Sequence, residues 1–88
     1  MEKGQRIAKL AADKLYGSDR ASQMLGMTID SIAPGSAQVS MRVRPDMVNG
    51  QGTCHGGLIF TLADSAFAFA CNSHGHNTVA AGAAIEFL

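Results

Sequence analysis

Between Leu58 and Cys71 the chain is apolar on almost every side of any helix it could form. Leu58, Ile59, Phe60, Leu62, Ala63, Ala66, Phe67, Ala68, Phe69 and Ala70 fill the run, and Thr61, Asp64 and Ser65 interrupt it. A helix without a polar face has to be buried on most sides. The run falls short of the roughly twenty apolar positions that cross a bilayer, and it carries a carboxylate in its middle. A sheet curled around one central helix, expected from Gly56 to about Ser73, reconciles these facts in an α+β domain.

The rest of the chain reads as support for that helix. Glu2 to Leu15 is expected to be an amphipathic helix, with Ile7, Leu10, Ala11 and Leu15 inward and Lys3, Arg6, Lys9 and Lys14 outward. Tyr16-Gly17 ends it. Ser18 or Asp19 can cap a short second helix that stops at Leu25-Gly26, where glycine suits the left-handed C-terminal position. Met27 to Ala33 is expected as a first strand and Ala37 to Arg44 as a second, with Pro34-Gly35 turning between them. In the second, Ala37, Val39, Met41 and Val43 alternate with Gln38, Ser40, Arg42 and Arg44, so the two arginines read as solvated outer-face charges. Turn formers follow the central helix from Asn72 to Asn77. Thr78 to Leu88 then begins a third strand, with Val79, Ala81, Ala83, Ile85 and Phe87 on one face.

Three strands do not readily enclose such a helix, and the last would be an exposed apolar edge of the kind native proteins avoid. The expectation is therefore one domain over residues 1–88, lacking its C-terminal end or completed by another chain. At 88 residues a domain buries a modest fraction of its surface, so association with a second copy is a natural source of stability. Seven Lys and Arg balance seven Asp and Glu, which argues against nucleic acid as a partner, because phosphates need a basic face. The N-terminus Met-Glu-Lys-Gly-Gln-Arg lacks the apolar run of a signal peptide. With two cysteines, Cys54 and Cys71, the expectation is a reduced cytoplasmic protein with no membrane partner.

Chemistry concentrates in Asn49-Gly-Gln-Gly-Thr-Cys-His-Gly-Gly and in Asp64. His55-Gly56-Gly57 presents backbone N–H groups at a helix start, where the orphan donors and the macrodipole favour an anion or a polarised oxygen. Asp64 could accept hydrogen bonds from Ser65, Asn72 or a neighbouring loop, but a lone carboxylate on an apolar helix favours a functional role. Asp64 lies eight residues beyond Gly56, about 12 Å along one helix at ~1.5 Å per residue. One substrate carbonyl cannot touch both, so a site using both must take them from two chains across a two-fold interface.

His55 fits loop organisation better than proton transfer, since it directly precedes two glycines. Cys54, His55, Cys71, His74 and His76 invite a zinc reading, but no Cys-x-x-Cys pair supports it, and no metal is expected. The glycine spacing matches neither dinucleotide nor Walker phosphate loops. Cys54 as a nucleophile beside His55 is disfavoured, because sequence neighbours rarely face one another in the needed geometry.

At these residues the chain resembles the hot-dog-fold thioesterases of the phenylacetate-degradation (PaaI) family. Met47-x-Asn49-Gly50-x-x-x-Cys54-His55-Gly56-Gly57-x-x-Phe60-x-Leu62-Ala63-Asp64-x-Ala66-Phe67-Ala68, followed by Ala70-Cys71-Asn72-Ser73 and Phe87-Leu88, carries the resemblance, which runs from about Asp19 onward. It implies a hot-dog fold: an antiparallel sheet wrapped around a long helix, in dimers paired edge to edge and often in tetramers. It implies hydrolysis of an acyl-CoA thioester, aryl- or medium-chain and phenylacetyl-CoA-like, with coenzyme A arriving in the substrate and no separate cofactor. By the same resemblance the Gly56 amide polarises the thioester carbonyl and Asp64 of the opposing subunit acts as nucleophile or general base. Asn49 orients the thioester or water and His55 braces the loop, with Gly57, Ser65 and Ala68 lining the substrate. Family members continue past Phe87-Leu88 with further strands that help bind coenzyme A. The alternatives are a non-catalytic acyl-CoA-binding or assembly module of the same fold, or an inactive truncated fragment.

Overall fold

The helix that the apolar run demands forms over Gly56–Asn72 (α3) in the computed structural model, which describes residues 2–75. Before it come α1 (Lys3–Ser18), α2 (Arg20–Met24), strands β1 (Thr28–Ala33) and β2 (Ser36–Ser40), and a single 3₁₀ turn at Pro45–Met47. The expected strand from Thr78 to Leu88, and His76, lie outside the described residues.

α1 runs past the expected stop at Gly17 to Ser18, and Asp19 serves both helices that meet there. Its backbone N–H donates to the Tyr16 carbonyl at 3.1 Å, and its carboxylate caps α2 by accepting from the Ser22 backbone N–H at 2.9 Å. α2 closes in a Schellman arrangement. Gly26, at φ +68°, sends its N–H to Gln23 and Met27 sends its own to Ser22, each at 3.0 Å.

The inward face of α1 differs from the expectation. Ala8 and Ala12 are buried while Leu10 is 69% exposed, because at 100° per residue Leu10 falls on the far side of the helix from Ala8. Two alanines on the inward face permit the close approach of α1 to β1 and α3.

β1 and β2 form an antiparallel pair in which Ile29 faces Val39 and Ile32 faces Ala37, with a bulge between Ile29 and Ser31. Residues three apart in a regular strand point to opposite faces. The extra residue brings Ile29 and Ile32 to the same, partly buried side, opposite Val39 and Ala37. Pro34-Gly35 makes the tight turn, with Gly35 at φ +77° as the third position of a type II turn requires. The Gly35 N–H donates to Ser73 Oγ at 2.6 Å, and Ser73 Oγ donates to the Ala70 carbonyl at 2.6 Å, which docks the turn on the end of α3.

β2 stops at Ser40, four residues before the expected Arg44. Its partner runs out there: Ser40 pairs with Thr28, the first residue of β1, and the N–H of Met27 is already committed to α2. Arg44 is accordingly no outer-face charge on a strand. Its guanidinium donates to the Met24 carbonyl at 2.9 Å and pairs with Asp46 at 3.0 Å, holding the Asp46 carboxyl below its usual range, chiefly through that hydrogen bond.

Leu25, Met27 and Met47 form the buried centre, with Tyr16, Val39, Met41, Cys54, Leu58 and Leu62 packed against it. Phe69, 1% exposed, stacks obliquely on Tyr16 with ring centres 6.1 Å apart, and Tyr16 Oη donates to the Met27 carbonyl at 2.6 Å. Among the described residues α3 is covered on one side only. Leu58, Leu62, Ser65 and Phe69 face the packed interior, whereas Ile59 and Phe67 remain 41% and 55% exposed. The two strands among the described residues cover too small an arc to enclose the helix.

Candidate active site

The chain enters α3 through a loop that its own polar residues hold closed. Val48 and Cys54 form an isolated antiparallel bridge, the Asn49 N–H donates to the Thr53 carbonyl at 2.8 Å, and the His55 N–H donates to the Met47 carbonyl at 2.8 Å. Inside this frame Asn49 Oδ1 accepts from the Gln51 N–H at 2.9 Å, the Thr53 N–H at 3.1 Å and the Thr53 hydroxyl at 3.3 Å. The asparagine thus builds the loop. Three donors on Oδ1 fix the amide's orientation and turn Nδ2 away as a donor for another group.

His55 is the N-cap residue of α3, its Nδ1 accepting from the Gly57 N–H at 3.1 Å. That bond puts the imidazole proton on Nε2 in the neutral ring. The helix start can then be accounted for amide by amide. Gly57 is capped by the imidazole, and Leu58 and Ile59 both donate to the His55 carbonyl, at 3.0 and 3.3 Å. The Gly56 N–H has no acceptor among the described residues. Of the two glycine amides in the motif, the one at Gly56 is the one without an acceptor among the described residues, at the positive end of a 17-residue helix.

Asp64 sits two turns along the same unbroken helix, exposed, with Phe60, Phe67 and Ala68 as its i−4, i+3 and i+4 neighbours. The side chains that could have made it structural are engaged elsewhere. Ser65 Oγ lies 2.8 Å from Ser22 Oγ in the interior, and Asn72 Nδ2 donates to the Ala68 carbonyl at 2.8 Å. Ser65 is 8% exposed, with its hydroxyl in the interior; Ala68 is half-buried. Asn49, His55 and Gly56 come together at the start of α3. Asp64 remains about 12 Å from them along the helix axis at ~1.5 Å per residue, as the sequence spacing requires.

Cys54 and Cys71 are unpaired thiols, both half-buried, and no group of three His, Cys, Asp or Glu gathers among the described residues. No helix among them is long and apolar enough to cross a membrane.

With this geometry in hand, the sequence profile of the thioesterase superfamily matches residues 51–88. The acyl-coenzyme A thioesterase PaaI of Escherichia coli K12 is 47% identical over 77 residues, 88% of this chain and 55% of the relative. The solved structure of the E. coli PaaI protein from the phenylacetic acid degradation operon superposes with a TM-score of 0.91 at 44% identity, covering 96% of this chain and 61% of that one. Over residues 51–88 the chain is similar to the thioesterase superfamily. Its fold is the hot-dog fold of PaaI. A protein of Archaeoglobus fulgidus is 36% identical over 86 residues, 98% of this chain and 56% of that protein. The chain thus spans about half the length of these curated relatives.

Two features of this site escape a reading of the sequence. The first is the division of labour between the two glycine amides, which depends on the side-chain angle of His55. The second is the Ser22–Ser65 contact, which joins residues far apart in sequence; its one visible sign is a serine beside Asp64 in a largely apolar run.

Proposed function

We propose that the chain carries the catalytic groups of an acyl-CoA thioesterase that hydrolyses aryl- or medium-chain acyl-CoA thioesters, phenylacetyl-CoA among them. The observation that carries this reading is the pairing, on one helix, of an N-terminal amide with no acceptor among the described residues and an exposed carboxylate with no structural partner there. The similarity to PaaI supports it.

The Gly56 N–H donates to the thioester carbonyl oxygen and strengthens its hold as negative charge develops there, at a helix terminus that needs no reorganisation. Asp64 either attacks the carbonyl carbon, expelling the thiolate of coenzyme A, which water protonates, and leaving an acyl anhydride that water then hydrolyses to the free acid, or takes a proton from the water that attacks the carbonyl and passes it to the departing thiolate. Asn49 Nδ2 is placed near the helix start to orient the thioester or the water, and His55 keeps Gly57 capped so that Gly56 alone faces the substrate. With about 12 Å of helix between the two groups, each site takes its Asp64 from a second copy of the chain, so two sites are shared across a homodimer. The acyl group lies against the side of α3 that the described residues leave open, at Phe60, Phe67 and Ala68, and coenzyme A is substrate rather than cofactor. We place the enzyme in the cytoplasm.

Thiol release from a panel of acyl-CoA esters, with Asp64→Asn as control, tests the assignment. Turnover that is lost in Asp64→Asn with folding retained is the expected result. Binding of acyl-CoA without thiol release would point to a non-catalytic module, and near-normal turnover in Asp64→Asn would remove the carboxylate from the mechanism.

A further inference from the structure

The interior face of α3 is apolar except at Ser65, which is 8% exposed and meets Ser22, itself fully buried on α2. The protons in this contact can be assigned. Ser22 Oγ lies 2.6 Å from Asp19 Oδ2, and an ionised carboxylate only accepts, so the Ser22 hydroxyl proton points at Asp19. Ser22 Oγ must then accept at its 2.8 Å contact with Ser65. The result is a directed chain, Ser65 to Ser22 to Asp19, short and charge-assisted at its far end, in which each bond polarises the next. A helical serine ordinarily satisfies itself on the carbonyl four residues back. Ser65 instead reaches a different element.

Directed bonds hold the two ends of α3, at His55 to Met47 and at Ser73 to Gly35, but along its middle Leu58, Leu62 and Phe69 pack without direction and leave the rotation there unset. A directed hydrogen bond sets it. Asp64 precedes Ser65 by one residue, about 100° around the helix, and no side-chain partner among the described residues aims it. From this juxtaposition we infer that Asp19, Ser22 and Ser65 are positioning residues for Asp64: their buried chain fixes the rotation of α3 and, through it, the direction of the carboxylate toward the shared site. This rests on the thioesterase reading above.

The test uses the double variant Ser22→Ala/Ser65→Ala. Removing both hydroxyls leaves neither serine oxygen unpaired between the helices, and the half-buried Asp19 keeps its Oδ1 cap on α2 while water replaces the hydroxyl at Oδ2, so the change is close to neutral for stability. With phenylacetyl-CoA, assayed well below the Tm, kcat is expected to fall about tenfold with KM within about twofold, the signature of a misaimed group. Unchanged kcat in the double variant, where Asp64→Asn is inactive, would overturn the inference alone. A loss of kcat that disappears on cooling further below the Tm would also overturn it, by reducing the chain to a stability element. Parental turnover in Asp64→Asn would overturn the thioesterase reading and the positioning role with it. Should the double variant not fold, Ser65→Ala, in which Ser22 keeps its bond to Asp19, is held to the same kcat and KM criteria.

Discussion

The role of His55 can be separated from proton transfer by two substitutions at one position. In the structure its Nδ1 occupies the place of an N-cap acceptor, 3.1 Å from the Gly57 N–H. His55→Ala removes that acceptor. Loss of an N-cap side chain typically costs about 1 kcal/mol, and because both His55 and Gly57 are exposed water takes over part of the bond, so about 0.5–1 kcal/mol is expected. For a chain of this size that corresponds to a Tm lowered by roughly 2–8 °C. The effect on turnover should be larger than on stability. The uncapped Gly57 amide competes with Gly56 for the carbonyl oxygen and the first turn loosens, which is expected to lower kcat by about tenfold to a hundredfold, short of the loss from deleting an oxyanion donor outright. His55→Asn places Oδ1 where Nδ1 was and belongs to the best N-cap residues. It should restore the Tm and most of kcat while abolishing any titratable group. Thermal melts by circular dichroism and thiol release with phenylacetyl-CoA read the two quantities. An Asn variant as stable as the parent but as inactive as His55→Ala would refute the capping role and make the imidazole itself a participant.

Two further expectations follow from local geometry. Gly35→Ala puts a side chain on a backbone at φ +77°, with its Cβ 3.3 Å from His74 Nε2, so a cost of roughly 1–2 kcal/mol and a Tm lower by about 4–15 °C are expected; an unchanged melt would contradict the turn assignment. Asp46→Asn bears on acid stability. Arg44 holds the Asp46 carboxyl below its usual range, so its contribution is fully present above the unfolded pKa and is lost as pH falls through the lower folded one. The parent should therefore lose slightly more Tm than Asp46→Asn between about pH 5 and pH 3, a small difference because the pair is exposed. Parallel curves would rule the pair out as a contributor.

The long helix was legible because ten apolar residues in one run leave a single physical outcome, and its start because His-Gly-Gly follows a loop rich in turn formers. The 12 Å separation of Gly56 from Asp64 needed only the helical rise. Other features depended on tertiary context. Leu10 was expected inward by periodicity, yet the alanines at 8 and 12 set the face of α1 because they let it approach β1 and α3 most closely. The alternation from Ala37 to Arg44 continues past the point where β1 ends, and a strand ends with its partner. The bulge at Asp30 is invisible in composition, although Ile29 and Ile32 could share a face only through such an irregularity. Asn49 stands out in the sequence as a candidate site residue, and the structure adds that the oxygen of its amide holds the loop.

Subunit complementation tests the shared site most directly. Gly56→Pro deletes the N1 amide at a position where proline is well tolerated, and the extended His55 before it, at φ −60° and ψ 132°, suits a following proline. Each of Gly56→Pro and Asp64→Asn alone should be inactive. Refolded together, half of the dimers are mixed, and each mixed dimer joins the intact Gly56 of one chain to the intact Asp64 of the other, so thiol release should recover to about a quarter of the parent's. If both groups served the same site from one chain, every site in the mixture would carry a defect, and activity would stay at the level of the separate variants.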